Sequence, residues 1–212
     1  MSLPTLSQAP ALHLGFAVLH LVCGQGVAAV VYRLRFGTFP LAVYRSQART
    51  GPALAHQRIS RSIGVLALAW GATLTTAALH PPFGERWLGR PLLPACAGLG
   101  WFLAIVGLLA MVSSQLAMHA AFRVGIDASE VPTLERRGPF ARSRNPIYLG
   151  SFTYLLGATL WAPGPLLLGL CLLIGALMHG LVRCEEAFLL KRLGDPYRAY
   201  CAAVPRYFGW RA

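Results

Sequence analysis

Charge is scarce in this chain: 12% of its 212 residues are charged, against roughly 25% in an ordinary soluble domain. Acidic groups are scarcer still, 7 against 19 basic ones. That shortage argues against a conventional soluble surface and leaves few carboxylates for acid or base chemistry. The 5 cysteines include no C-x-x-C pair; Cys23, Cys96 and Cys171 fall in apolar runs, Cys184 and Cys201 in the C-terminal tail. Free thiols are expected, not a disulfide framework. The 6 histidines are scattered, and His13 and His20, seven apart, have no carboxylate or thiolate to join them. No metal site is expected. Also missing are a dinucleotide-binding motif, an internal repeat, a low-complexity segment, and a positive n-region in Met1 to Pro10 that would mark a cleaved signal.

What is abundant is apolar sequence, 56% of the chain. The sharpest instance is the stretch of 38 residues between Arg144 and Arg183, which carries no charge and is broken near its middle by Ala162-Pro163-Gly164-Pro165. Two segments of about 17 to 18 residues, each rising about 1.5 Å per residue, just cross a hydrocarbon core of roughly 30 Å. A membrane hairpin follows, with its polar ends on one face. Apolar runs at about 11–32, 62–80, 92–113, 146–162 and 165–182 predict five spans, the second diluted by Trp70, Gly71 and polar positions. The expected fold is an all-α integral membrane bundle in a single domain, 1–212. Its functional half covers about 115–212.

Between the spans, Arg33 to Arg61 reads as a connection broken by Gly37, Pro40, Gly51 and Pro52. Gln115 to Val124 reads as a short interfacial helix, and Val131-Pro132-Thr133 as extended chain leading to a Gly138-Pro139 turn. After Arg183 the helix is expected to continue to Gly194. There Asp195 and Pro196 form a new cap and first-turn pair for a short helix bearing Tyr197 and Tyr200.

Seventeen of the 19 basic residues lie in 33–61, in 114–144 and from Arg183 onward, leaving Arg86 and Arg90 on the other side. In a bundle with an odd number of spans this places the N-terminus outside and the C-terminus in the cytoplasm. The net charge of +12 is divided among juxtamembrane segments rather than gathered into a patch with stacking aromatics. Membrane lipid, not nucleic acid, is its expected partner.

The polar ends of the hairpin carry a specific set of residues: Gly138, Phe140, Arg144, Pro146, Tyr148 and Gly150 on the entering side, and Glu185, Glu186, Leu189 or Leu190, Gly194, Tyr197, Tyr200, Val204 and Pro205 on the leaving side. As a set they resemble the isoprenylcysteine carboxyl methyltransferase family and related integral-membrane methyltransferases. That pattern runs G-x-Y-x-x-x-R-H-P-x-Y-x-G, a hairpin, then E-E-x-x-L, F-G-x-x-Y-x-x-Y and V-P. Upstream, Phe122-Arg123-Val124-Gly125-Ile126-Asp127 resembles the W-R-V-G-I-D of many bacterial members, and a bacterial inner membrane is the expected location. The resemblance covers about 119–207. Asn145 stands where the pattern has His, Phe140 where it has Tyr, and Leu193 where it has Phe. An Asn side chain still donates and accepts but does not titrate.

The resemblance implies a cytoplasmic pocket for S-adenosylmethionine, with contacts at Pro132, Thr133, Leu134, Glu135, Phe140, Asn145, Pro146, Ile147 and Tyr148. Arg144 is expected to fix the cofactor loop or bind its carboxylate. Tyr148 is the leading candidate for the sulfonium, since an aromatic face near a cation contributes roughly 0.5–2 kcal/mol. Tyr197 and Tyr200 close the pocket from the tail. Trp161, Tyr207, Phe208 and Trp210 read as interfacial belt residues. Glu185 or Glu186 is expected to hold the cofactor ammonium or orient the nucleophile, and Arg183 or Arg206 to hold an anionic substrate group; an Arg183–Glu186 surface pair is the plain alternative. The implied activity is methyl transfer to an amphiphilic acceptor, a prenylcysteine-like carboxyl, or alternatively a phospholipid amine or small thiol. An NADPH-dependent membrane reductase and a non-catalytic membrane protein are the readings from other classes.

Overall fold

Helix ends in this chain are set by proline and glycine. Pro146 and Pro165 open their helices where a missing N–H costs nothing, and Gly194, at φ 60°, ends the longest one in a backbone region that side chains disfavour. The computed structural model describes residues 18, 30, 33, 34, 51–80, 86, 87, 94–118, 126, 132–161 and 163–208. Among these there are five α-helices and no strand: α1 (Gly51–Leu79), α2 (Pro94–Ala117), α3 (Pro146–Trp161), α4 (Pro165–Leu193) and α5 (Asp195–Ala203), with a 3-10 turn at Gly138–Ala141 before α3. The all-helical expectation holds. The first expected span, 11–32, lies almost wholly outside the described residues.

Three local expectations change. Gly51 and Pro52 do not break the chain but begin α1, so the last part of the expected connection, residues 51–61, is helix. Glycine at φ 75° and a following proline suit a helix start as well as a loop. Gln115 to Ala117 continue α2 rather than opening an interfacial helix, and 119–125 lie outside the described residues. At the start of α5 the capping position is Gly194, not Asp195; the Asp195 carboxylate instead pairs with exposed Arg198 at 2.5 Å.

Two helix pairs build the bundle. α2 lies against α3 backbone to backbone: a Cβ on Gly107 would stand 2.6 Å from Gly150 O and Tyr154 N, and one on Gly157 would stand 2.5 Å from Gly100 O. Small residues permit this approach, and in an apolar surrounding close packing replaces the hydrophobic drive. The opposite face of α2 shows Leu99, Phe102, Ile105 and Leu109 to the outside, as a lipid-facing helix does. α1 lies against α4, with the Ile59 side chain resting on Gly180. Trp70 of α1, Leu108 and Met111 of α2, Tyr154 and Leu155 of α3, and Leu167, Cys171 and Ile174 of α4 close one shared core.

Two helices, α4 and the Gly98–Ala117 part of α2, are long and apolar enough to cross a membrane. The 29 residues of α4 extend about 43 Å, longer than the roughly 30 Å hydrocarbon core. Its charged end, from Arg183 onward, therefore projects beyond the apolar part. α5 folds back there over a second, smaller core of Tyr197, Tyr200 and Val204, packed with Leu134, Leu189 and Leu193. This brings the chain before α3, the end of α4 and the tail to one polar mouth.

Candidate active site

Glu185 and Glu186 are neighbours on α4, and about 100° of helical turn points them at different partners. Glu186 turns toward the tail. Its Oε1 accepts from Arg144 Nε at 3.1 Å and Asn145 Nδ2 at 3.0 Å, and its Oε2 accepts from Arg206 at 2.9 Å (Nε) and 2.7 Å (Nη2). The carboxylate is mostly buried. Burial alone would raise its pKa, but the hydrogen bonds from Arg206 and Arg144, the Arg144 charge and the Asn145 amide outweigh it and hold the carboxyl below its ordinary value.

Around that carboxylate the tail is laced to the start of α3. Arg144 Nη1 donates to the carbonyls of Cys201 (3.0 Å) and Val204 (2.8 Å), which caps the last turn of α5. Its backbone N–H donates to Pro205 O at 2.9 Å. Ser143 Oγ and Asn145 Nδ2 both donate to Arg206 O at 3.2 Å. With one Nδ2 hydrogen on Glu186 and the other on Arg206 O, the donor side of the Asn145 amide is spent on this clamp.

Glu185 turns the other way, toward α1 and α3. Its Oε1 accepts from the Tyr148 hydroxyl at 2.6 Å and lies 2.9 Å from His56 Nε2. A carboxylate only accepts, so Nε2 carries the proton in this contact. His56 is 3% exposed, and its Nδ1 stands 3.3 Å from Ser60 Oγ one turn further along α1. Glu185 itself is 29% exposed, and its Oε2 has no partner among the described residues. One oxygen is held by two donors, and the side chain as a whole stays partly exposed.

The remaining predicted residues divide between these two arms and the second core. Tyr197 and Tyr200 are buried on α5, and the Tyr200 hydroxyl donates to Phe140 O at 2.6 Å. Burial pushes the Tyr200 phenol up to about 12, and burial with the nearby Glu186 charge raises that of Tyr197, so both stay neutral. Arg136 lies 5.9 Å over the Tyr200 ring and donates to Pro196 O. Leu134 packs into the second core, and Glu135 turns back to accept from the N–H groups of Arg136 and Arg137. Pro132 and Thr133 precede this in irregular chain. Pro146 and Ile147 form the first turn of α3, with Leu149 N–H donating to Asn145 O at 3.0 Å. Arg183 is exposed on α4; the ion pairs of Glu186 go to Arg144 and Arg206 rather than to it.

The sequence pattern of phospholipid methyltransferases matches residues 96–195. That stretch is similar to the phospholipid methyltransferase family. No curated protein and no solved structure matches the chain. The family segment runs from α2 to the first residue of α5 and so contains the hairpin, both glutamates, Arg144, Asn145 and Tyr148. The match over these residues and two helices long and apolar enough to cross a bilayer both point toward the membrane methyltransferases.

Two contributors outside the family segment were not among the site residues expected from sequence. His56 comes from α1, in a region whose arginines, glycines and prolines read as a connection; nothing in its spacing pointed to the C-terminal half. Tyr207, read from sequence as a belt aromatic, is pinned instead: its hydroxyl meets His179 Nδ1 at 2.8 Å and its ring packs edge-on to Phe152 at 5.3 Å. It fastens the tail to both arms of the hairpin. The resemblance to V-P at Val204 and Pro205 stops just short of it.

Proposed function

We propose that this chain transfers a methyl group from S-adenosylmethionine to a lipid-type acceptor at the cytoplasmic face of the membrane, with Glu185 orienting the acceptor and receiving its proton. The observation that carries this reading is the asymmetry of Glu185: one carboxylate oxygen held by Tyr148 and His56, the other unpartnered among the described residues of a partly exposed side chain. The residues present fit the cofactor. The first turn of α3 leaves the amides of Ile147 and Tyr148 without intrahelical acceptors, suited to a carboxylate. The half-buried Tyr148 ring suits a sulfonium, and the irregular backbone of 132–137 suits adenine. When bound, the cofactor supplies an electrophilic methyl carbon.

Because that carbon is already activated, the protein's part is alignment and exclusion of water. The second core and the Glu186 clamp hold the tail over the mouth and keep its floor rigid. The phospholipid methyltransferase match favours an amine over the prenylcysteine-like carboxyl as the acceptor. A carboxylate needs no base, whereas an ammonium must lose a proton before it attacks. Glu185 Oε2 is the group placed to take it.

Calorimetry on purified protein in detergent with S-adenosylmethionine, S-adenosylhomocysteine and NADPH tests the class. Affinity tighter than millimolar for the first two and none for NADPH is expected; NADPH binding alone would replace the reading with a reductase. Radiolabelled methyl transfer is then expected on phosphatidylethanolamine vesicles and not on a prenylcysteine analogue. The five-span topology is part of the proposal, and a cysteine placed near Gly89 should be labelled from outside intact cells while one near Gly51 or at Ala212 is not.

A further inference from the structure

His56 is the group whose placement the family segment does not explain. It is 3% exposed, on the face of α1 that packs against α4, one helical step from Ile59 on Gly180. A polar ring in that position needs partners, and it has two: Glu185 through Nε2 and Ser60 through Nδ1. The two interactions act at opposite ends of the imidazole. Ser60 fixes the ring's rotation, and Glu185 accepts a hydrogen bond from Nε2–H, which selects the tautomer.

The consequence falls on Glu185. A carboxylate on a half-exposed helical position has several rotamers of similar energy. Here Tyr148 from α3 and His56 from α1 reach the same oxygen from two helices. Neither donor touches Oε2. Resting on the reading of Glu185 as the acceptor-facing group, we infer that His56 is a positioning residue, which with Ser60 locks the Glu185 carboxylate so that Oε2 is presented to the acceptor. α1, outside the family segment, thereby becomes part of the active site. The other titratable and charged groups near this contact are Cys184 and Arg183 on α4, Tyr148 on α3 and Tyr207 in the tail.

The test compares His56→Ala and His56→Gln with wild type. Turnover on phosphatidylethanolamine vesicles at saturating S-adenosylmethionine should fall about 10-fold or more in His56→Ala, with cofactor affinity by calorimetry changed less than about twofold. His56→Gln keeps an N–H donor at similar reach and should recover most of the loss. A ligand-free readout accompanies this: in protein labelled with 15N-histidine, the ring signals missing from His56→Gln identify His56. These should shift in Glu185→Gln and in Ser60→Ala. Unchanged turnover in His56→Ala with normal cofactor binding would overturn the positioning role, as would loss of cofactor affinity in both variants, which marks general structural damage. Wild-type protein that binds no S-adenosylmethionine, while the His56 signals still respond to Glu185→Gln, would instead overturn the methyltransferase reading and the acceptor role that rests on it.

Discussion

The two sides of the mouth use the same side chain for opposite ends. Around Glu186 every oxygen is taken, two arginines and an amide converge, and the product is a fastening between the start of α3 and the tail. Around Glu185 two donors share one oxygen and the other has no partner among the described residues. A saturated carboxylate can only hold. The proposed role for Glu185 uses that difference. The difference lies in charge as well as count: Glu186 meets two guanidinium groups that are always protonated, whereas Glu185 meets a phenol and an imidazole.

The largest effect should come from breaking the saturated side. Arg144→Ala removes one hydrogen bond from a mostly buried carboxylate and two from the end of α5. Loss of one partner of such a pair costs about 3 kcal/mol or more. Thermal unfolding in detergent should show a lower midpoint, and limited proteolysis should cut early between Gly194 and Tyr207. Any loss of cofactor affinity should follow that release of the tail.

The unsaturated side should respond in rate and not in stability. Glu185→Gln keeps the size and the Tyr148 contact but removes the base, so turnover at saturating cofactor should drop about 10²-fold, near 2.7 kcal/mol of barrier. Its unfolding midpoint should stay within a degree or two of wild type. Equal turnover in Glu185→Gln and wild type would erase the contrast between the two glutamates.

A control belongs away from both. Gly157→Ala puts a Cβ 2.5 Å from Gly100 O and forces α2 and α3 apart, an overpacking cost of about 1–3 kcal/mol. It should lower stability without distinguishing the two sides of the mouth. Smallest is the pH effect. The Glu186 carboxyl sits below its ordinary 4.5 in the folded chain, so its contribution is fully present above about that pH and is lost as pH falls through the lowered value. Thermal midpoints should therefore hold between pH 7 and 5 and drop in more acid buffer, and Glu186→Gln should flatten that acid limb.

Much of this arrangement was legible. The absence of charge from 145 to 182 and the break at Pro163 required a hairpin, and a hairpin requires Arg144 and the glutamates to share one end. The motif set around them carried the methyltransferase resemblance. What stayed hidden is instructive. Gly51 and Pro52 looked like breakers because the same residues begin helices and end them, so α1 was read too short and His56 was left in a connection. Tyr207 looked like a belt aromatic because sequence shows a ring but not the His179 and Phe152 beside it.

Sequence by itself determined the long-range bookkeeping of polarity: which stretches leave water, where they turn, and that the scarce carboxylates end up beside basic groups on one face. Those are consequences of transfer free energy and chain length, and they act on segments. Only the tertiary structure decided which glutamate is sealed and which is open, because adjacent residues on a helix differ by about 100° in direction. At that resolution the outcome depends on which neighbour arrives, Arg206 from the tail or His56 from α1, and neither is near Glu185 and Glu186 along the chain.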